Sequence, residues 1–85
     1  MEIAVDMSLY PLATEFIPPI EAFIARLKAT SGIKVVTNSL STQVFGDYAR
    51  VMEILTREMH TTFAQNDKAV FVMKFVGPLG SAGGG

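Results

Sequence analysis

Asp6, Ser8 and Tyr10 occupy alternate positions of one short stretch, Ile3 to Leu9 with Tyr10-Pro11-Leu12 after it. Ile3, Val5, Met7 and Leu9 take the positions between them. A period of two over seven residues is a strand with one apolar side and one mixed side. A carboxylate, a hydroxyl and a phenol in a row on one side of a sheet exceed what a core needs, and covered polar groups must find hydrogen bonds. A second polar group, Asn38, Ser41, Thr42 and Gln43, surrounds the turn Ser39-Leu40-Ser41. A carboxylate, neutral donors and acceptors, and a phenol for stacking suit a flat heteroaromatic cation. The plainer account of hydroxyls and amides in a tight turn is that they bond the local backbone.

Signals for catalysis are poor. His60 is the single histidine, mid-helix beside Glu58 and Met59, and reads as a solvated helix-face residue. With one histidine and no cysteine, a zinc-type ligand set is not expected. The hydroxyls of Ser8, Ser39, Ser41, Thr42, Thr61 and Thr62 lack an evident base, and the C-terminal glycines have no strand-loop-helix context that would cradle a phosphate. No enzyme activity and no cofactor are expected.

The positioning elements follow from the chain in order. Pro11 ends the first strand, and Ala13 to Phe16 connects. Pro18 and Pro19 sit where a helix tolerates proline, in its first turn. Ile20, Phe23, Ile24 and Leu27 follow as one apolar stripe, with Glu21, Arg26 and Lys28 on or near the wet side and Gly32 as the stop. Ile33 to Asn38 is a β-branched strand. Thr42 to Phe45 forms a third, with Gly46 ending it and Asp47 as N-cap of a second helix. That helix carries Tyr48, Met52, Leu55, Met59 and Phe63 and runs to about Ala64. Gln65-Asn66-Asp67 breaks it, and Ala69 to Val76 is the fourth strand. The order β-α-β-β-α-β with right-handed crossovers predicts an α+β, ferredoxin-like sandwich: a four-stranded antiparallel sheet in the order 4-1-3-2, both helices on one face. Residues 1–76 form the ligand-binding domain; residues 77–85, Gly-rich, read as a flexible tail.

The chain has 85 residues, 49% of them hydrophobic, and a mean hydropathy of +0.36. That is apolar for a domain with so much surface per volume. No run approaches the roughly 18–20 apolar residues of a membrane span, and no basic segment precedes an apolar one as in a signal peptide. A cytoplasmic protein that hides apolar surface by self-association is expected. In the fourth strand Phe71, Met73 and Phe75 alternate with Val70, Val72, Lys74 and Val76, so both sides are largely apolar and the side away from the helices needs a cover, most simply a second subunit. Seven basic and eight acidic residues give a net charge of −1, against nucleic acid as a partner.

The runs Ser8-Leu-Tyr-Pro-Leu12, Asn38-Ser-Leu-Ser-Thr-Gln-Val-Phe-Gly-Asp-Tyr48 and Ala69-Val-Phe-Val-Met-Lys74 resemble the YkoF-like thiamine-binding family. The resemblance spans about Ile3 to Val76, and its most specific piece is Ser41-Thr42 to Gly46 ahead of the second helix. It implies the fold already inferred, dimers or tetramers for single-domain members, and non-catalytic binding of thiamine or its hydroxymethylpyrimidine moiety, in some members tied to thiamine precursor uptake. It points to Ser8, Asn38, Ser41 and Thr42 as ligand-binding residues. The side-chain reasoning above adds Asp6, to offset positive charge, and Tyr10, to cover the ring. The alternative is a regulatory or assembly module whose open sheet face only makes subunit contacts.

Overall fold

The computed structural model describes residues 1–66 and 68–80. The elements are β1 (Glu2–Pro11), α1 (Ile17–Lys28), β2 (Ile33–Thr37), β3 (Thr42–Asp47), α2 (Tyr48–Gln65) and β4 (Ala69–Val76). The sheet is four-stranded and antiparallel in the order β2-β3-β1-β4, so the first strand lies inside it. This is the α+β, ferredoxin-like sandwich that the element order predicts.

Residues paired across neighbouring strands share a face. Val35, Val44, Val5 and Phe75 form one such row, and Met7 pairs Met73. Ile3, Val5, Met7 and Val44 are buried with Phe23 and Leu27 of α1 and Val51, Ile54 and Leu55 of α2. The opposite face carries Val36, Gln43, Asp6 and Lys74 in one row and Lys34, Phe45, Ala4 and Val76 in the next. Val70, Val72 and Val76 are each about half exposed there. The open face is thus a mosaic of apolar and polar groups.

Three local expectations need correcting. Gly32 does not cap α1. The helix closes at Ala29, where the Thr30 amide donates to Leu27 O and its hydroxyl to Arg26 O, and Gly32 instead supplies a φ of +88° in the turn into β2. Gly46 does not end β3, which continues through Asp47. A Cβ on Gly46 would stand 3.1 Å from Val51 Cγ2 and 3.2 Å from Ile33 Cγ2, so this glycine lets α2 approach the sheet. Asp47 does occupy the N-cap position of α2, but its carboxylate makes no capping bond and instead accepts from the Met1 ammonium at 3.1 Å.

The buried line of α2 is also rotated from the expected stripe. Val51, Ile54, Leu55, Glu58 and Thr62 face inward. Of the expected set only Leu55 lies fully within it. Phe63 flanks β4, edge-on to Phe71 at 5.4 Å, and Phe71 meets Phe23 of α1 at 5.1 Å. The rotation follows from a polar cluster between the helices. Arg26 is not on the wet side: its Nε donates to Glu58 Oε1 at 2.6 Å and its guanidinium to Thr62 Oγ1 at 2.8 Å. Arg57 donates to the other Glu58 oxygen at 3.0 Å. The Leu79 amide donates to Glu2 O at 2.8 Å, so residues 77–80 run beside the start of β1; of the tail expected over 77–85, residues 81–85 lie outside the described residues.

Burial pushes the Glu58 carboxyl up, but the Arg26 and Arg57 hydrogen bonds and charges outweigh it, and the net shift is down. A carboxyl depressed in the folded state contributes stability that is complete above its unfolded pKa of about 4.3 and is lost as pH falls through the folded value. Glu58→Gln is therefore expected to cost about 1.5–3 kcal/mol at pH 7. It should also flatten the fall in stability below pH 5. Urea unfolding of both forms at pH 7 and in steps down to pH 3 measures each effect.

Candidate functional site

β1 is longer than its inner neighbour. It pairs with β3 only from Glu2 to Met7, but with β4 from Ala4 to Pro11. Ser8 to Pro11 therefore have a strand on one side and none on the other. Beside that free edge lies a cavity of about 420 Å³. Its walls are Met7 to Pro11 of β1, the hairpin residues Asn38 to Thr42, and Phe16 ahead of α1 with Ile20, Phe23 and Ile24 of that helix. One side is thus strand edge and polar turn; the other is the apolar stripe of a helix.

The hairpin wall is built by its own side chains. Asn38 Oδ1 accepts from the amides of Leu40 and Ser41 at 2.9 and 3.0 Å, and the Asn38 amide donates to Ser41 O at 3.1 Å. This is the local backbone bonding that short polar side chains favour in turns. The hairpin is then tied to β1. Ser41 Oγ and Gln43 Nε2 both donate to Asp6 Oδ1 at 2.7 Å, and Gln43 Nε2 also donates to Ser41 Oγ at 2.7 Å. Asn38 Nδ2 donates to Gln43 Oε1 at 3.3 Å. The Gln43 and Ser41 bonds hold the Asp6 carboxyl below its ordinary value, with the Lys74 charge acting the same way, so it stays anionic at neutral pH.

Of the six residues picked out in the sequence, the structure brings Ser8, Tyr10, Asn38, Ser41 and Thr42 to the cavity wall. Asp6 does not line it; it stands behind Ser41 on the open face. Asn38 and Ser41 have their side chains committed to the turn and to Asp6. The hydrogen bonds run through Asn38, Ser41, Gln43 and Asp6, and the side chains of Ser8, Tyr10 and Thr42 have no protein partner among the described residues. Tyr10 is 54% exposed at the rim, and Thr42 is largely buried. The contribution of α1 to the wall has no polar signature in the sequence. Its stripe was legible, but only as core. Leu40, 88% exposed at the hairpin tip, also lines the cavity and gave no sequence signal.

A second groove, of about 430 Å³, lies at the other end of β1, between Ile3, Tyr48, Met52, Phe75 and Val76. It holds none of the predicted residues. His60 is exposed on α2. Among the described residues no cluster of three or more histidine or acidic side chains could hold a metal, and no helix is long and apolar enough to cross a membrane.

No family model matches the chain, and no curated protein matches it in sequence. Solved structures do match. Protein SP2199 from Streptococcus pneumoniae is 22% identical over 92% of this chain and 89% of its own, with a TM-score of 0.83. A "putative thiamine biosynthesis/salvage protein", TM0486 from Thermotoga maritima, is 16% identical over 99% of this chain and 88% of its own, with a TM-score of 0.82. A domain of unknown function, DUF77, from Bacillus cereus is 12% identical over 92% of this chain and 77% of its own, with a TM-score of 0.77. At these identities the likeness establishes a shared fold over nearly the whole chain.

Removing the donors should release Asp6. Gln43→Ala is expected to return the Asp6 carboxyl toward the ordinary aspartate value, with a smaller rise for Ser41→Ala, following the weight of the two bonds. Carboxyl-carbon NMR titration of Asp6 in each variant reads the shift directly.

Proposed function

We propose that this chain is a non-catalytic binder of thiamine or of its hydroxymethylpyrimidine moiety, a cytoplasmic protein serving the uptake, carriage or sensing of the vitamin or its precursor. One observation carries the reading: the cavity beside the free edge of β1 joins the polar residues named by the resemblance to an apolar wall from α1. Its volume of about 420 Å³ falls within the range of about 300–1,000 Å³ in which small-molecule pockets lie. A flat aminopyrimidine needs hydrogen-bond partners around its edge and apolar contact on its faces. The Thr42 hydroxyl and the unpaired edge of β1 from Ser8 to Pro11 offer the first; Ile20, Phe23 and Ile24 offer the second. The Asp6 carboxylate, held anionic behind Ser41, favours a ligand that carries positive charge. The thiamine-related structural neighbour supports the same direction.

A ligand that binds only the folded state raises its melting temperature by mass action. Thiamine or hydroxymethylpyrimidine at millimolar concentration is expected to do so for this protein, and Ser8→Ala and Ile24→Asp to reduce or abolish the rise while leaving the unliganded protein folded. Absence of any shift in the native assembly refutes the reading.

The same proposal includes self-association. Val36, Val70, Val72 and Val76 leave an apolar open face interrupted by Gln43, Asp6 and Lys74, and large bare patches of this kind mark interaction surfaces. A second copy is the proposed cover, giving a dimer or tetramer. Sedimentation velocity should show an oligomer that Val72→Asp shifts to smaller species. An oligomer sensitive to Val72→Asp but indifferent to every thiamine-related ligand favours the alternative, an assembly module.

A further inference from the structure

The cavity carries a charge preference in its construction. Its lining contains no lysine, arginine or histidine among the described residues. The open face carries two basic side chains: Lys34, whose Nζ lies 5.9 Å from the centre of the Phe45 ring, and Lys74, which stands opposite Asp6 across β1 and β4. Neither lines the cavity. The nearest formal charge tied to the wall is negative, since Ser41, which lines it, donates at 2.7 Å to Asp6 Oδ1.

One further element could have offered an anion site. The N-terminal half of α1 forms a wall, and a helix N-terminus ordinarily presents free amide donors to a phosphate. Here two of the first four helical residues are Pro18 and Pro19, which have no N–H. The first turn is stripped of half of its free donors, and the side chains it turns toward the cavity, Phe16 and Ile20, are apolar. A phosphate brought into this space would lose hydration without gaining a cation or an amide cradle, a costly exchange for a charged group.

We infer that the cavity is selective for the unphosphorylated ligand and rejects its phosphate esters, with the Asp6 carboxylate and the proline-blunted start of α1 as the determinants. This rests on the proposed binding of a thiamine-type heterocycle and narrows it to the neutral or cationic free alcohol. Specificity of this kind comes from what the wrong ligand meets as much as from what the right one gains.

Isothermal titration of the intact protein with four probes tests it: hydroxymethylpyrimidine, its monophosphate, thiamine and thiamine monophosphate. Each ester is expected to bind at least about tenfold more weakly than its alcohol. Asp6→Asn and 0.5 M salt, on the order of a 4 Å screening length, should narrow that ratio. Ser39→Lys, which puts a cation on the hairpin wall, should narrow it further. Esters that bind as tightly as the alcohols overturn the inference and leave the binding function standing. A ratio unchanged by Asp6→Asn, by salt and by Ser39→Lys overturns the electrostatic origin assigned here. Failure of all four probes to bind overturns both readings.

Discussion

The architecture turns on a mismatch of length between neighbouring strands. β1 has ten residues and its partner β3 has six. Backbone amides and carbonyls in a sheet need partners, and β4 supplies them to β1 as far as Pro11, whereas β3 stops opposite Met7. The surplus end of β1 is therefore rigid on one side and free on the other. A strand end of that kind is a suitable edge for a site, because its groups are held in place by the sheet and are not consumed by it.

The hairpin between β2 and β3 has to stay beside that free edge for the cavity to keep its shape. Asn38 closes the turn, while Ser41 and Gln43 converge on one oxygen of Asp6. The plain reading of turn polar groups holds for Asn38, which bonds the turn backbone, while Ser41 is committed to Asp6. The Ser8 and Thr42 hydroxyls make no hydrogen bond among the described residues. Asp6, expected to offset positive charge, does not line the cavity but stands one residue removed from its wall, bonded to Ser41.

The packing of the helices shows why hydrophobic periodicity reached the right elements and the wrong line on α2. Tyr48, Met52, Leu55, Met59 and Phe63 are the larger side chains and form a regular series. The core nevertheless selected the line through Val51, Ile54, Glu58 and Thr62. Glu58 and Thr62 can enter because Arg26 reaches them from α1. Nothing in the local sequence of α2 announces a partner some thirty residues earlier. Gly46 has a similar history: locally a strand breaker, it is in the fold the point where a Cβ would crowd Val51 of α2 and Ile33 of β2.

By itself the sequence determined the order of the elements, the inner position of the first strand and the grouping of Asp6, Ser8 and Tyr10 on one side of it. These follow from periods of two and 3.6 and from the stereochemistry of proline and of crossover connections, all of which act over a few residues or through general rules of connection. Only the tertiary structure decided which of the polar groups are spent on the turn, which face of α2 is buried, and that the apolar stripe of α1 forms the other half of a cavity. Those outcomes depend on register and on contacts between residues far apart in the chain, and such contacts leave no mark on the local pattern that a sequence displays.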